Sequence, residues 1–522
     1  MPKKKSDDLF QLIRSLSPSE KRYFKLKMQV NGEEQKSLLL FDAMDAQPVP
    51  DEAAILQAHS NIKPEQISNL KAHLYERLLH AMRSFHLKKN RDISTREYID
   101  HAQILFDRGL YEQCNRILQK ARRLAHKNDN LELMLEILKM EKQVVAQGVG
   151  NENPEKVNAI IEEVNDVNTR IYNINRLSNI LVKLNNLYIK TGFVRKEQYM
   201  EELKDFVNRN LPVFEEESFS FNEKLNLYNV YVAYYLFIQD FENAYHFARK
   251  WVQLFDDAPE FIPLKSIMYI RGIHSLLIAQ NKLMKYREFV QTTQKLKDVY
   301  LIRGIELNEN IRTMLFKYIT IHEINRYFLT GDFSGGISLV RKIERDLDHF
   351  VDKLGKHSTI IFYYKIACMY VGDGNHKMAV FWLQKIINEQ QVDLREDVHC
   401  FARILNLISH FELGNTDVID YYIKSTYRFL LKRGDLSQYQ EYILKFLKNL
   451  GDDTSAHQLN ALFENLLQQL LTLTDNPYES RSFSYFDIIS WLESKLQKKA
   501  VQQVIQEKAR RKISEDEASA VV

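Results

Sequence analysis

The chain has 522 residues, of which 45% are hydrophobic and 27% charged, so it can bury a core and is not a disordered polyelectrolyte. It holds only 16 Gly and 10 Pro, with no proline between Pro263 and Pro477, which argues for long helices with tight connections. The net charge is +3 but unevenly spread: residues 1–30 carry eight Lys or Arg against three Asp or Glu, residues 492–513 carry seven against two, and −7 is left on the rest. Basic ends of this kind either attract nucleic acid or another anionic partner, or are solvated helix faces. The three cysteines, Cys114, Cys368 and Cys400, are too scattered for a disulfide framework or a metal spacing, and are expected as buried apolar side chains in a reducing compartment. The opening residues lack the apolar core of a signal peptide. No stretch approaches the ~18 uncharged apolar residues that cross a bilayer. A cytoplasmic protein with no membrane partner is expected.

Residues 1–92 read as a helical cap domain. Ser17-Pro18-Ser19-Glu20 is a helix start: Ser17 caps, Pro18 takes the first helical position and Glu20 reaches back. Pro48 and Pro50 break the chain, Asp51 to His59 forms a short helix, and Ser60 to Pro64 turns. Glu65 to His86 is then a long amphipathic helix with Ile67, Leu70, Leu74, Leu78, Met82 and Phe85 on one stripe. A short helix, a turn and a helix with Gln66, Ser68, Asn69 and Lys71 near its start also suits a helix-turn-helix reader of nucleic acid. The apolar stripe favours a cap for the array that follows.

Residues 93–475 read as that array. A Gly or polar residue, a spacer, an aromatic, two spacers and a small residue recur, clearest at Gly109, Tyr111 and Cys114 with Leu118 and Ala121 following. The aromatic anchor falls at Tyr111, Phe193, Phe241, Tyr286 and Phe333, with degenerate copies at His376 and Thr416. Separations are 82, 48, 45, 47, 43 and 40 residues, so the first gap holds a further faint unit between residues 130 and 170. Three residues past the anchors stand Cys114, Lys196, Ala244, Phe289, Gly336, Ala379 and Ile419, of which Lys196 breaks the pattern. Gly109, Gly192, Gly331, Gly374 and Gly414 fall at the turn between paired helices, where a left-handed backbone is needed. The small residue lets the two helices touch.

On Gly109/Tyr111/Cys114/Leu118/Ala121, Phe241/Ala244/Ala248/Trp251, Gly331/Phe333/Gly336/Val340/Ile343 and Gly374/Ala379/Leu383/Ile386 the chain resembles the tetratricopeptide repeat family. The resemblance implies an all-α fold, a right-handed α-solenoid of antiparallel helix pairs. The period of about 40–48 residues departs from that family's ~34 and overlaps the HEAT class. Both ends of the chain also resemble bacterial helical-repeat proteins, through Ser19 to Phe24 and through Tyr485-Phe486-Asp487 with Trp491 to Lys495. That likeness supplies no activity.

Residues 456–474 form an apolar helix, and residues 476–522 a C-terminal capping helix and a basic, disordered tail. A final helix is expected over Ser484 to Ile513, with Phe486, Ile489, Trp491, Leu492 and Leu496 docked and the basic part beyond Gln497 projecting or fraying. Ser514 to Glu517 is expected to open the disordered tail.

Signatures of chemistry are missing. Val371 to Lys377 lacks the glycine spacing and Lys-Ser/Thr pair of a phosphate loop. His322-Glu323 has Arg326 where a zinc-protease helix needs its second histidine, and neither His399-Cys400 nor His80 and His86 have ligand spacing. No Gly-x-Ser-x-Gly elbow occurs. No metal, cofactor or catalytic residue is therefore expected. The remaining surface is the groove lined by the first helix of each pair. Eight residues before the anchors lie Gln103, Asn185, Ala233, Ile278, Asn325, Cys368 and Ile408. The amides Gln103, Asn185 and Asn325 either bind the backbone of an extended peptide or bond to their own neighbours. Tyr228, Tyr231 and Tyr235 form a stripe suited to core packing. The sequence thus points to a non-catalytic scaffold that binds a protein or peptide on the concave face of a repeat array. The alternative is a nucleic-acid-linked regulator with a helix-turn-helix-like N-terminal domain.

Overall fold

A computed structural model describes residues 8–30, 35–87, 90–148, 154–191, 197–212, 215–389, 395–432, 437–449, 456–474, 479 and 486–519. The fold is all-α, and the described residues contain no strand. The chain divides into two compact units, Met1–Tyr172 and Asn173–Val522.

The first unit opens with α1 (Asp8–Ser15), α2 (Pro18–Val30), α3 (Gln35–Ala46), α4 (Glu52–Ala58) and α5 (Pro64–His86). The expected start of α2 forms: the Ser17 N–H donates to Glu20 Oε2 at 2.7 Å, and the Glu20 N–H donates to Ser17 Oγ at 3.4 Å. Asp51 caps α4. Ile67, Leu70, Leu74 and Leu78 are buried on α5, with Phe24, Leu40 and Phe41 in the same core. Met82 is packed against that core from α5, and Phe85 against Tyr23 of α2. The unit continues through α6 (Arg91–Asp107), α7 (Tyr111–Lys127), α8 (Leu131–Ala146) and the first part of α9 (Pro154–Thr191). Cys114, Leu118, Ala121, Leu133, Ile137 and Leu138 make this second core.

The second unit holds the rest of α9, then α10 (Glu197–Asn210), α11 (Phe221–Ile238), α12 (Phe241–Asp257), α13 (Phe261–Leu264), α14 (Ser266–Lys282), α15 (Tyr286–Asp298), α16 (Glu309–Thr330) and α17 (Phe333–Leu354). It continues with α18 (Lys356–Gly372), α19 (His376–Ile387), α20 (Glu396–Glu412), α21 (Thr416–Lys432), α22 (Gln438–Lys448) and α23 (Ala456–Leu471), and ends in α24 (Ile488–Leu496) and α25 (Val501–Ser519). Consecutive helices pair as α11/α12, α14/α15, α16/α17, α18/α19 and α20/α21, and the first helices also touch one another, α14 with α16, α16 with α18 and α18 with α20.

One local device closes these pairs. The residue two before each described anchor is left-handed: Gly109, Gln239, Met284, Gly331, Gly374 and Gly414 have φ of 73°, 62°, 58°, 69°, 80° and 68°. The following N–H reaches the carbonyl five residues back, as from Asp332 to Tyr327 and from Asn375 to Tyr370. That bond satisfies a carbonyl that the helix end leaves open. The same residue then caps the next helix through its side chain at Asp240, Asp332 and Asn375. Gln239 and Met284 hold this conformation without being glycine. Gly192, Phe193 and Lys196 lie outside the described residues. Three residues past the other anchors, Cys114, Ala244, Phe289, Ala379 and Ile419 are all buried. At Gly336 an added Cβ would fall inside the Met369 thioether of α18.

The C-terminus departs from expectation. The single helix over Ser484 to Ile513 is instead α24 and α25, separated by a turn with Lys498 at φ 53°. The Lys499 N–H bonds the Ser494 carbonyl at 3.0 Å, the same closure used between the pairs. No glycine or proline marks this turn, so the sequence conceals it. Nor does the basic stretch project. Val504 and Ala509 are buried, Gln506 Nε2 donates to the Gly331 carbonyl at 3.3 Å, and the Ser334 N–H donates to Gln502 Oε1 at 3.2 Å. The backbone stays helical to Ser519, past the expected start of the tail at Ser514. Long Lys and Arg stems at the edge of such a helix let it lie on another surface while the charges reach water. α24 seals the end of the core: Trp491 is fully buried against Phe411, Phe446 and Phe463, and its Nε1 donates to Glu412 at 2.5 Å. Tyr485, Asn476 and Pro477 lie outside the described residues.

Gly336→Ala should cost roughly 1–3 kcal/mol by overpacking α17 on α18, read from urea unfolding. A Cβ at Gly331 would stand 2.9 Å from the Gln506 backbone nitrogen, on a left-handed residue. Gly331→Ala should therefore also loosen α25, seen as faster hydrogen exchange over residues 501–513. Unchanged exchange there would remove Gly331 as the seat of that helix.

Candidate functional site

The three amides singled out from sequence have different settings. Gln103 on α6 is exposed and donates Nε2 to Asp107 Oδ1 at 2.7 Å, one turn along its own helix. Asn185 on α9 is exposed. Asn325 on α16 is buried, and its Oδ1 accepts from Lys365 Nζ at 2.7 Å. Gln103 belongs to the first unit and the other two to the second. Gln103 and Asn325 thus spend their amides on neighbours in the same unit.

Asn325 leads into a polar chain that crosses the first helices of the second unit. His274 Nδ1 on α14 and His322 Nε2 on α16 lie 2.8 Å apart, so one ring donates and the other accepts. His274 also stacks on Tyr318 with centroids 3.7 Å apart. His322 Nδ1 is 3.5 Å from Asn325 Nδ2, and Asn325 holds Lys365 of α18. Lys317, two turns up α16, donates to Ser358 Oγ of α18 at 3.3 Å. Arg271 of α14 is exposed and lies beside Tyr318. Beyond α18 stands a buried ion pair, Arg395 Nε to Asp397 Oδ1 at 2.7 Å and Nη2 to Oδ2 at 2.5 Å. Arg395 is left-handed, with φ 56°. Its N–H donates to the Ile189 carbonyl at 3.2 Å, and its guanidinium meets the Tyr188 hydroxyl and ring of α9. One buried pair therefore joins segments about two hundred residues apart.

Burial sets the protonation of this chain. It presses the His322 pKa down to about 3, with Lys365 adding repulsion, and holds His274 well below the usual range, with His322 and Lys317 adding theirs. Both imidazoles are neutral at pH 7. Lys365 and Lys282 keep some open surface yet are ringed by protein, and burial pushes both ammonium groups down to about 8. Lys317 is lowered as well, first by burial and then by Arg271. The Cys368 thiol is pushed up to about 12 by burial, which leaves it inert as a nucleophile.

Other motifs resolve into packing. Glu323, beside His322, pairs with Lys297 at 2.6 Å and with Arg326 at 3.1 Å. His86 is held by Glu20 at 2.7 Å. Gly374 sits in a pair-closing turn. Tyr231 and Tyr235 pack on Phe247 of α12 with centroids 4.5 and 5.7 Å away, and Tyr228 donates to Glu216 at 2.6 Å. Among the described residues no three His, Cys, Asp or Glu side chains gather as a metal would require, and no helix is long and apolar enough to cross a membrane. The three cysteines are free and buried.

Sequence reading passed over Arg271, His274, Lys317, Lys365, Arg395 and Asp397. A register signal existed for part of the set. His274, His322 and Lys365 stand twelve, eleven and eleven residues before their anchors Tyr286, Phe333 and His376. No protein-family model, curated protein or solved structure matches the chain.

Two outcomes follow from the polar chain. The unfolded chain binds a proton at each histidine near pH 6.5, whereas the folded chain resists it. Stability that is full above pH 6.5 should fall as the pH drops towards 5, by up to about 1.4 kcal/mol per pH unit for each of His274 and His322. Urea titrations across that range should show the slope, and His274→Gln with His322→Gln should reduce it, leaving the part that His357, His376 and His410 contribute. Asp397→Ala leaves the Arg395 charge buried and should cost roughly 3–5 kcal/mol, with hydrogen exchange rising at residues 186–191. A loss below 1 kcal/mol would show that Arg395 does not depend on that carboxylate.

Proposed function

We propose that the protein is a non-catalytic scaffold of the tetratricopeptide-like kind: a right-handed α-solenoid of antiparallel pairs that binds a protein or peptide segment on the concave face lined by its first helices. In this reading residues 1–92 cap an array over residues 93–475, and residues 476–522 close its other end. The observation that carries the proposal is the pair-closing turn repeated at one register, together with the contacts among the first helices α14, α16, α18 and α20. Helix pairs that repeat one closure and touch through their first helices generate an extended surface suited to a segment of another chain. The polar chain supports binding over catalysis, because a histidine with a pKa near 3 is a poor acid or base at neutral pH. The buried free thiols suit the cytoplasm.

The regulator alternative has less support. On α5, Gln66, Ser68 and Asn69 are exposed, as a reading helix requires, but Glu65 and Glu76 share the exposed surface and Lys71 is tied to Glu52 at 2.6 Å. A duplex-binding helix needs cations free to meet phosphates. Affinity capture of the full chain with mass spectrometry should recover a stoichiometric protein partner. Recovery of nucleic acid alone, released steeply by salt, would replace the scaffold with the regulator.

A further inference from the structure

Several described cations in this part of the second unit pair with carboxylates: Lys250 with Glu216, Lys295 with Asp256, Lys285 with Glu288 and Lys297 with Glu323. Arg271, Lys317 and Lys365 differ. Lys317 meets Ser358 and the Tyr318 ring, Lys365 meets Asn325 and the Phe328 ring, and Arg271 meets Tyr318. Among the described residues no carboxylate lies within ion-pair distance of any of the three. They come from three successive first helices and repel their neighbours: Lys317 feels Arg271, and Lys365 feels Arg395. Crowding partly desolvated like charges without a counter-charge is unfavourable for the fold by itself. Such a cluster is retained at low cost where a ligand brings the missing charge.

We propose that Arg271, Lys317 and Lys365 form a docking site for an acidic segment of a partner protein, held through its side-chain carboxylates. The inference rests on the scaffold reading and names the chemistry of its occupant. Lys317 is anchored to Ser358 and Lys365 to Asn325, and the α16 positions involved, Lys317 and Asn325, lie two turns apart, about 12 Å at 1.5 Å per residue. An extended segment advances ~3.3 Å per residue, so carboxylates about three to four residues apart match that span. Arg271 offers a further fork to a third carboxylate. A duplex fits less well. It needs a broad exposed basic stripe, whereas these cations are few, two of them are recessed, and residues 31–491 with 514–522 carry −7.

The probe is a fluorescein-labelled oligoglutamate peptide, titrated against the full chain by anisotropy. Binding is expected, weakening with salt, and oligolysine should not bind. Lys317→Gln and Lys365→Gln should each weaken it about tenfold, as expected for loss of one charge-assisted hydrogen bond. Lys317→Arg and Lys365→Arg should keep it. Should a glutamine variant fail to fold, the natural chain still decides: the peptide should shield Lys317 and Lys365 from amine acylation mapped by mass spectrometry. Absence of shielding, or displacement of the peptide by inorganic phosphate or duplex DNA at equal concentration, would overturn the proposal. So would a captured partner protein that the glutamine variants retain in full, which would leave the scaffold standing without this site.

Discussion

The second unit depends on a left-handed residue placed two positions before each anchor. A helix end leaves carbonyls without partners, and a buried end cannot leave them to water. The reversal at Gly331, Gly374 or Gly414 lets the next N–H reach five residues back, and the chain then turns into its partner helix within two residues. So short a turn brings the two helices together at once. The residue three past the anchor must then be small, as at Ala244 and Gly336, or else fill a matched gap, as Phe289 does. Gln239 and Met284 accept the same conformation, which shows that packing of the pair outweighs the local preference for glycine.

Upon that frame the core carries an unusual polar load. Most of it is neutral or paired: two histidines share one hydrogen bond, and Arg395 meets Asp397 through two. Such groups favour one arrangement over others more than they add stability. The lysines are the exception. Their charge is partly desolvated and, among the described residues, unmatched by carboxylates, which is why they bear the docking proposal while the histidines do not.

Much of the first unit was legible in local chemistry. Ser17, Pro18 and Glu20 announce the start of α2, and the stripe from Ile67 to Leu78 announces the buried face of α5, because capping and periodicity act within a few residues. The turns at Gly109, Gly331, Gly374 and Gly414 were legible for the same reason. The turn at Lys498 was not, since no glycine, asparagine or proline stands there to mark it, and α25 lies on Gly331 and Ser334 through contacts about 170 residues distant in sequence. The groove amides show the same limit. Register placed Gln103, Asn185 and Asn325 at equivalent positions, but only the fold shows Gln103 bonded to Asp107, Asn185 exposed and Asn325 holding Lys365.

By itself the sequence determined that the chain is helical, where most helices turn, and which small residues lie where helices touch, because these follow from backbone sterics and side-chain spacing along a single stretch. The tertiary structure alone decided which charges are paired and which are not. Arg395 and Asp397 find Tyr188 and Ile189, whereas among the described residues Lys317 and Lys365 find a hydroxyl, an amide and aromatic rings but no carboxylate. The reason is physical: the strength of a charge depends on its distance to partners remote in sequence and on the water removed around it, and neither is encoded at the residue that bears the charge.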